Sequence, residues 1–364
     1  MRTGIQVVAG VDTHADTHYA AIITTTGEHL GAAQFPTTPA GYAALTGFIT
    51  CHGPLARVGV EGTNSYGAGL ARHLRAQGIA VEEVIRPARQ VRRLKGKSDP
   101  IDAYQAAHTA LTHENVVTAK TADGTVEAIR VLHAGRRSAV KARCGVMTQL
   151  KSLLVTAPDR VRDAWREVGK RELIDGLAAL RARSGDTVVE AATRATLKRL
   201  AVRYRQLSEE IMADDTDLDQ LVQATNPGLL AAHGISTITA AQLLITAGDN
   251  PDRLHTEGAF ATLCGVAPIP ASSGKTTRWR LSRGGDRGAN NALYTIVLSR
   301  MANDRRTRAY VTRRTREGKT TRDIIRCLKR AVARQVFHLL THPQPAIAVT
   351  GLRTARKRLE APQV

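Results

Sequence analysis

The sequence predicts an α/β N-terminal domain, a long helical middle section and a mostly helical C-terminal domain. Over residues 1–115, short apolar runs alternate with turn residues, which is the pattern of alternating strands and helices. Over residues 116–225, apolar residues recur at helical spacing among abundant Arg, Lys and Ala. Residues 226–345 combine further helical stretches with a polar, glycine-rich loop, and residues 346–364 are predicted to form a flexible tail.

The N-terminal domain is predicted to hold a mixed sheet flanked by helices. Three strands separated by turns come first, and helices then alternate with two more strands. This order is typical of a ribonuclease-H-like domain. The predicted strands cover residues 5–12, 18–24, 28–35, 57–61 and 79–85, and the predicted helices cover residues 38–49, 65–76 and 100–112.

The rest of the chain is predicted to be largely helical. Residues 127–154 and 187–221 form either an antiparallel helical hairpin or a dimerising coiled coil, because their apolar spacing is helical but no strict heptad is sustained. A segment around Gly234 resembles a helix–hairpin–helix, in which a turn presents backbone N–H groups to a phosphate. Helices are also predicted at residues 289–303 and 322–340.

The charge of the chain indicates an anionic partner. The 364 residues include 52 Lys and Arg against 32 Asp and Glu, a formal net charge of +20, which favours nucleic acid first and an anionic membrane surface second. A membrane partner is not expected, because no run approaches about 20 apolar residues and the N-terminus lacks signal-peptide features. The four cysteines have no zinc-binding spacing, which favours a reduced, cytoplasmic protein.

Four carboxylates form the first candidate site. Asp12 and Glu61 each end an apolar strand-like run, whereas Asp99 and Asp102 lie one turn apart on a predicted helix. If the two strands are parallel neighbours, both of their side chains emerge at the same sheet edge, where a hard cation finds oxygen ligands. Two such ions about 4 Å apart support phosphoryl transfer. The pattern therefore predicts a site for Mg²⁺, with Mn²⁺ as the alternative ion, that acts on nucleic-acid phosphates.

Each carboxylate also has a purely structural interpretation. Asp99 before Pro100 has the sequence of a helix N-cap, and the Asp102 carboxylate in the first turn would then interact favourably with the positive end of the helix dipole. Asp12 and Glu61 would be solvated residues at strand ends. Four such residues in this order, on suitable elements, are a much less common coincidence than any one of them, which favours the metal site.

Other polar residues surround this candidate site in the sequence. His14 and His18 follow Asp12 and are interpreted as polar turn residues rather than as ligands. A basic cluster directly precedes the acidic helix, and it either holds a phosphate backbone against the site or is an exposed, solvated loop. Its members are Arg86, Arg89, Arg92, Arg93, Lys95 and Lys97.

The loop around Ser272 and Ser273 is the second candidate site. Its Ser-Gly-Lys-Thr sequence fails the nucleotide-binding P-loop pattern, because Ile269 stands where the first glycine belongs. A loop serine is a nucleophile when a base or a metal activates it, although composition alone makes this an ordinary loop. Nearby basic side chains favour a phosphate-binding surface, namely Lys275, Arg278, Arg280 and Arg283.

Several motifs follow one another in a recognisable order. They are Val11-Asp12-Thr-His14, Val60-Glu61-Gly-Thr-Asn-Ser-Tyr66, Lys97-Ser-Asp99-Pro-Ile-Asp102-Ala, the Gly234 segment, Phe260 to Pro268, Ser273-Gly274 and Ser282-Arg-Gly-Gly285-Asp286. With these motifs the chain resembles the DEDD-type insertion-sequence transposases of the IS110 family, which include the Piv-type DNA invertases. The resemblance runs over nearly the whole chain.

The resemblance implies an active site shared by two domains. It implies a RuvC-like domain that binds metal through the four carboxylates, a helical linker, and a C-terminal transposase domain with a nucleophilic serine. Ser273 matches the family motif better than Ser272. A covalent phosphoserine intermediate is implied, which conserves the phosphodiester energy. The implied partners are donor and target DNA and a structured non-coding guide RNA that pairs with both.

The sequence also leads to an expectation about the oligomeric state and leaves two competing functions open. Strand exchange on two duplexes needs several active sites, so a homodimer or homotetramer is expected, with the helices of residues 116–225 as the interface. One competing function is a metal-dependent RuvC-like endonuclease in which water is the nucleophile. The other is a non-catalytic nucleic-acid packaging protein, which would have no use for four carboxylates in this arrangement.

Overall fold

The computed structural model describes residues 5–84, 98–112, 116–272, 274, 279–281 and 284–343. The chain divides into two compact units. The first unit comprises Met1–Glu127 and Ala247–His255, and the second comprises Ala128–Thr246 and Thr256–Val364. The domain boundaries predicted from the sequence, at residues 115, 225 and 345, stay predictions.

The first unit contains a mixed sheet, as the sequence predicts, and the sheet has six strands. Its order is β3-β2-β1-β4-β5-β6, with the β1–β4 and β4–β5 pairs parallel and the other pairs antiparallel. The predicted strands are present, and the short last strand was not predicted. The strands are β1 (Val7–Thr13), β2 (Thr17–Thr24), β3 (His29–Pro36), β4 (Leu55–Glu61), β5 (Val81–Val84) and β6 (Val116–Thr118).

Helices cover both faces of this sheet. They are α1 (Pro39–Thr50), α2 (Ala68–Ala76) and α3 (Asp99–Thr112). Alternate residues of β1 face opposite ways, because side chains along a strand alternate. Val7, Ala9 and Val11 join the buried core that includes residues of α1 and α2, whereas Val8 packs with Ala107 of α3. Even-numbered residues of β1, Asp12 among them, therefore belong to the α3 face.

The α3 helix lies unusually close to β1 and β4. A Cβ atom built on Gly10 would lie 2.1 Å from the backbone nitrogen of Ala107, and one on Gly59 would lie 2.9 Å from the Cβ of Ala110. Gly10 and Gly59 are register partners in the sheet. The two glycines thus form a flat patch that lets an alanine-lined helix rest on the strands, which brings the start of α3 to the strand ends.

The first half of the second unit contains two long antiparallel helices. Helices α4 (Thr125–Thr156) and α7 (Val188–Thr225) pair through an Arg136–Asp215 ion pair and an Arg143–Ser208 hydrogen bond. The residue numbers of the paired side chains increase along α4 and decrease along α7, so the two helices are antiparallel. Of the two predicted alternatives, the structure therefore shows the antiparallel hairpin. Their core also takes in the short helices α5 (Asp159–Arg162) and α6 (Lys170–Ala178).

The rest of the second unit is helical around one short hairpin. Five residues separate the end of α8 from the start of α9, and one of them, Gly234, has a left-handed φ of 78°. None of the helices in the described ranges combines the length and apolar character that a membrane crossing needs. The elements are α8 (Pro227–Ala231), α9 (Thr237–Ala247), α10 (Glu257–Leu263), β7 (Pro268–Pro270), β8 (Trp279–Leu281), α11 (Arg287–Asn303), α12 (Arg305–Arg316) and α13 (Thr321–Thr341).

Candidate metal centre and serine loop

Asp12 and Glu61 emerge at the same edge of the sheet. Val11 of β1 pairs with Val60 of the parallel strand β4, so Asp12 and Glu61 follow side by side as the next residues of their strands. The Thr13 hydroxyl donates to the Glu61 carbonyl at 2.9 Å, which ties the two strand ends together. Both acidic side chains are largely buried, Asp12 at 2% exposure and Glu61 at 8%.

Asp99 and Asp102 lie in the first turn of α3. The Asp102 backbone N–H donates to the Ser98 carbonyl at 3.0 Å, so the helix is already established at Asp99. The close contact of this helix with Gly10, two residues before Asp12, carries its first turn to the sheet edge. The carboxylates at the start of α3 therefore lie at the same sheet edge as the carboxylates that end β1 and β4.

Three side chains meet at this edge. The Nε2 atom of His14 lies 3.1 Å from Oδ2 of Asp12 and 3.3 Å from Oδ1 of Asp99. One ligand atom from each residue lies within 4.8 Å of the other two. Within the described residues, Glu61 and Asp102 are not part of this close group, although each is on an element that contributes a member.

The donor set of this cluster fits a divalent cation. Two carboxylate oxygens and an imidazole nitrogen are ordinary ligands for such ions. Two ligands at right angles around an ion with bonds of about 2.1 Å are about 3 Å apart. The two separations from the His14 nitrogen, 3.1 and 3.3 Å, are close to this value. An ion would fit with small side-chain movements.

The second candidate site is only partly within the described residues. Ser272 is exposed and lies between β7 and β8, and Arg280 lies in β8 with an exposed side chain. Ser273, Lys275, Arg278 and Arg283 lie outside the described residues. The same is true of the basic cluster before α3, whose members are Arg86, Arg89, Arg92, Arg93, Lys95 and Lys97.

Two family models match the chain in the order of these two sites. A DEDD transposase model of the IS110 group, described as a transposase, matches residues 9–157, and a model described as "Transposase IS116/IS110/IS902 family" matches residues 228–312. The chain belongs to this transposase family. The first match contains all four predicted carboxylates and the second contains the serine loop, so the family resemblance inferred from the motifs is confirmed.

Proteins of two insertion elements are similar to this transposase. A 42 kDa protein of insertion element IS900 from Mycobacterium paratuberculosis, named as uncharacterized, is 24% identical over 94% of this chain and 98% of its own length. A 43.6 kDa protein of insertion element IS110 from Streptomyces coelicolor, also named as uncharacterized, is 29% identical over 37% of this chain and 34% of its own length. The two family matches show that the protein is a DNA-cutting transposase, an enzyme of DNA transposition and recombination.

The structure corrects the interpretation of the two histidines in this transposase. His14 is not simply a polar turn residue, because its ring lies between two of the predicted metal ligands. His18 lies in β2, in agreement with the strand predicted over residues 18–24, but it is not a polar turn residue, because it is fully buried and stacks on Tyr42 with ring centroids 5.7 Å apart. Burial lowers the pKa of the His18 imidazole. The sequence Asp12-Thr13-His14, with an imidazole two residues after a carboxylate, could have indicated that His14 lies at the metal site.

Hydrogen bonds within the second unit hold the two ends of the serine loop together. The Asp286 backbone N–H donates to the Leu263 carbonyl at 2.6 Å. The Asn290 amide donates to the carbonyls of Cys264 and Gly265 at 2.9 and 3.0 Å, and the buried Lys329 donates to the Asn290 amide oxygen at 2.9 Å. These contacts, which we call the loop clamp, fix residues 263–265 against the start of α11.

Each polar group of the loop clamp has a defined task. The Asp286 carboxylate caps α11 by accepting from the backbone N–H groups of Gly288 and Ala289, and it also accepts from the Thr246 hydroxyl at 2.7 Å. Lys329 donates to the amide oxygen of Asn290, so the amide N–H₂ faces the two carbonyls. Burial lowers the pKa of the Lys329 ammonium group, and the charge of Arg326 lowers it further.

Proposed function

We propose that this transposase cuts and rejoins DNA strands through a phosphoserine formed on Ser273, with assistance from a metal-binding carboxylate site. The observation that carries the proposal is the convergence of Asp12 and Asp99 at one sheet edge, with Glu61 and Asp102 on the same strand pair and helix. The match of the second family model to the serine loop supports a second catalytic element.

The chemistry is a pair of transesterifications. The Ser273 hydroxyl oxygen gives up its proton and attacks a DNA phosphorus, the bond between phosphorus and the leaving strand oxygen breaks, and that oxygen takes up a proton, so no net proton is released. A hydroxyl of another strand then attacks the phosphoserine, which frees the serine and rejoins DNA. One phosphodiester is exchanged for another at each step, so no ATP is needed, in agreement with the failed P-loop pattern.

Asp12, Glu61, Asp99 and Asp102 are the proposed metal ligands. A bound Mg²⁺ or Mn²⁺ ion supplies Lewis-acid stabilisation of charge on the phosphate and its leaving oxygen. Asp12 and Glu61 are the buried strand-end residues, whereas the Asp99 side chain is half-exposed and would be open to a substrate phosphate. The carboxylates belong to the first unit and Ser273 belongs to the second, so both units are proposed to contribute residues to the reaction.

Nucleic-acid partners follow from the family and the charge. We propose that donor and target DNA are bound together with a structured non-coding guide RNA, by a homodimer or homotetramer. The net charge of +20 suits a protein that neutralises phosphates on both nucleic acids. The proposed phosphate contacts are Arg86, Arg89, Arg92, Arg93, Lys95, Lys97, Lys275, Arg278, Arg280 and Arg283.

Paired serine variants test the proposal. Ser273→Ala should abolish cutting and joining of donor and target DNA in the presence of Mg²⁺ and the guide RNA, because the attacking oxygen is gone. Ser272→Ala is the matched control, since it changes the adjacent hydroxyl, and it should keep most activity. If Ser273→Ala keeps full activity and Ser272→Ala loses it, the nucleophile is Ser272 and not Ser273. If both variants keep full activity, neither serine is the nucleophile and the proposed mechanism is refuted.

A RuvC-like endonuclease that uses water is the second candidate function. The observation that favours it is that Asp12, His14 and Asp99 come together within the first unit alone. This function predicts metal-dependent nicking without joining and without a protein–DNA adduct. Denaturing electrophoresis of the reaction distinguishes the two functions, because only a phosphoserine keeps labelled DNA attached to the denatured protein.

A further inference from the structure

His14 lies against the carboxylate site, although the DEDD pattern does not include it. It follows β1 directly, and its backbone N–H donates to the Thr17 carbonyl at 3.0 Å, which closes a tight turn. This turn directs the imidazole back over the strand end. As a result Nε2 lies between Asp12 and Asp99, at 3.1 and 3.3 Å.

The geometry of these contacts differs from that of a hydrogen-bonded ion pair. Within the described residues, Nε2 of His14 is shielded from solvent and makes no hydrogen bond of acceptable alignment, despite its two short contacts. Ligands that converge on one ion show this arrangement, because their lone pairs point at a shared centre and not at each other.

We infer that His14 is a metal ligand and that its imidazole makes the site select Mn²⁺ over Mg²⁺. The inference rests on the metal-binding part of the proposed function, and it concerns which ion the site takes. Mg²⁺ prefers oxygen ligands and keeps several waters, whereas imidazole nitrogen favours first-row transition metals. A site in which an imidazole joins the carboxylates is therefore less suited to Mg²⁺ than a site made of carboxylates alone.

Metal titration of the full-length protein tests the selectivity without any catalytic reaction. His14→Ala should weaken Mn²⁺ binding about tenfold and Mg²⁺ binding by about twofold or less, because only Mn²⁺ gains much from the nitrogen. His14→Gln places an amide oxygen near the position of Nε2, so it should keep Mg²⁺ binding and lose the preference for Mn²⁺. His73→Ala, which changes a partly exposed histidine of α2, is the control and should match the parent.

Pulsed electron paramagnetic resonance of the Mn²⁺-loaded protein identifies the ligand directly. The parent and His73→Ala should show nitrogen coupling from a bound imidazole, and His14→Ala should lack it. The inference is overturned if the parent binds Mn²⁺ without nitrogen coupling, or if the coupling survives in His14→Ala. The Asp12→Asn variant distinguishes a failure of the His14 inference from a failure of the proposed function. If Asp12→Asn still binds Mn²⁺ normally, the carboxylate cluster is not the metal site and the proposed function fails as well.

Discussion

The carboxylate cluster and the serine loop are built in opposite ways. Asp12, Glu61 and Asp99 are on strands and a helix that pack closely, with glycines in place of side chains at the contact. The serine loop lies between two three-residue strands, and the loop clamp joins residues 263–265 on one side of it to the start of α11 on the other. The first site owes its geometry to regular elements, and the second owes its anchoring to a few long-range hydrogen bonds.

This difference suggests how the two sites work. Metal ligands must keep separations of about 3 Å, which rigid elements supply. The ends of the serine loop depend instead on hydrogen bonds between residues distant in sequence, and such contacts open locally when one partner is lost. Variants of the carboxylate cluster should therefore lose chemistry or folding outright, whereas variants of the loop clamp should change local opening.

The largest effect is expected from removing one carboxylate. Asp12→Asn should lower the strand-cutting rate by at least about 100-fold, because metal stabilisation of phosphoryl transfer contributes several kcal/mol and each 1.4 kcal/mol is tenfold in rate. Asp16→Asn, an exposed carboxylate in the following turn, should leave the rate within about twofold. Similar losses in both variants would mean that charge near β1, and not ligation, is what matters.

The second effect tests the glycine contact beneath the cluster. Gly10→Ala places a Cβ atom 2.1 Å from the Ala107 nitrogen, so α3 must move away from β1. Overpacking of this kind costs about 1–3 kcal/mol of unfolding free energy, or more where backbone must shift. Chemical denaturation should show this loss, together with weaker Mn²⁺ binding.

A matched helical glycine provides the control for that prediction. Gly47 lies within α1 and has no neighbouring atom within 4 Å of an added Cβ. Gly47→Ala should therefore raise the unfolding free energy by about 0.5–1 kcal/mol. If Gly10→Ala also stabilises the protein and binds Mn²⁺ normally, the close approach of α3 is not what positions Asp99.

An intermediate effect is expected at the loop clamp. Asn290→Ala removes two donated hydrogen bonds and leaves the Lys329 ammonium without its acceptor, which costs about 1–3 kcal/mol. Hydrogen exchange at residues 263–265 should accelerate while exchange in β1 stays unchanged. Asn291→Ala, at an exposed position of the same helix, should alter neither. Unchanged exchange in Asn290→Ala would show that the loop ends do not depend on this amide.

The smallest effect concerns a thiol within the loop clamp. Burial raises the pKa of Cys264 to about 12, and the Asp286 charge adds to the shift, so the thiol stays protonated at pH 8. Cys51, Cys144 and Cys327 are exposed. Alkylation of the native protein at pH 8, read by peptide mass spectrometry, should label those three and spare Cys264. Rapid labelling of Cys264 would mean that the loop base opens readily.

The sequence predicts the carboxylate positions because each depends on a local pattern. An acidic residue that ends an apolar run marks a strand end, and the i, i+3 pair marks one helix face. The close contact of α3 with the sheet was not predicted. Gly10 and Gly59 on neighbouring strands, together with the alanines of α3, are the sequence features that could have indicated it.

Other features depend on contacts that no local pattern reveals. His14 reaches the cluster only because a four-residue turn folds it back over Asp12. The loop clamp joins Cys264 to Asn290 and Asn290 to Lys329, pairs that are distant in sequence. Strands of three residues, such as β6, are too short for an alternating pattern to predict.

Trapping the covalent intermediate tests the central claim most directly. A DNA substrate nicked beside the cutting position, which loses its leaving strand and prevents rejoining, should leave a nucleotide mass on the peptide that contains Ser273. The adduct should be absent from Ser273→Ala, and it should be lost from Asp12→Asn because the metal-binding carboxylates assist the attack. Cutting that proceeds at the parent rate without any serine adduct would contradict the account.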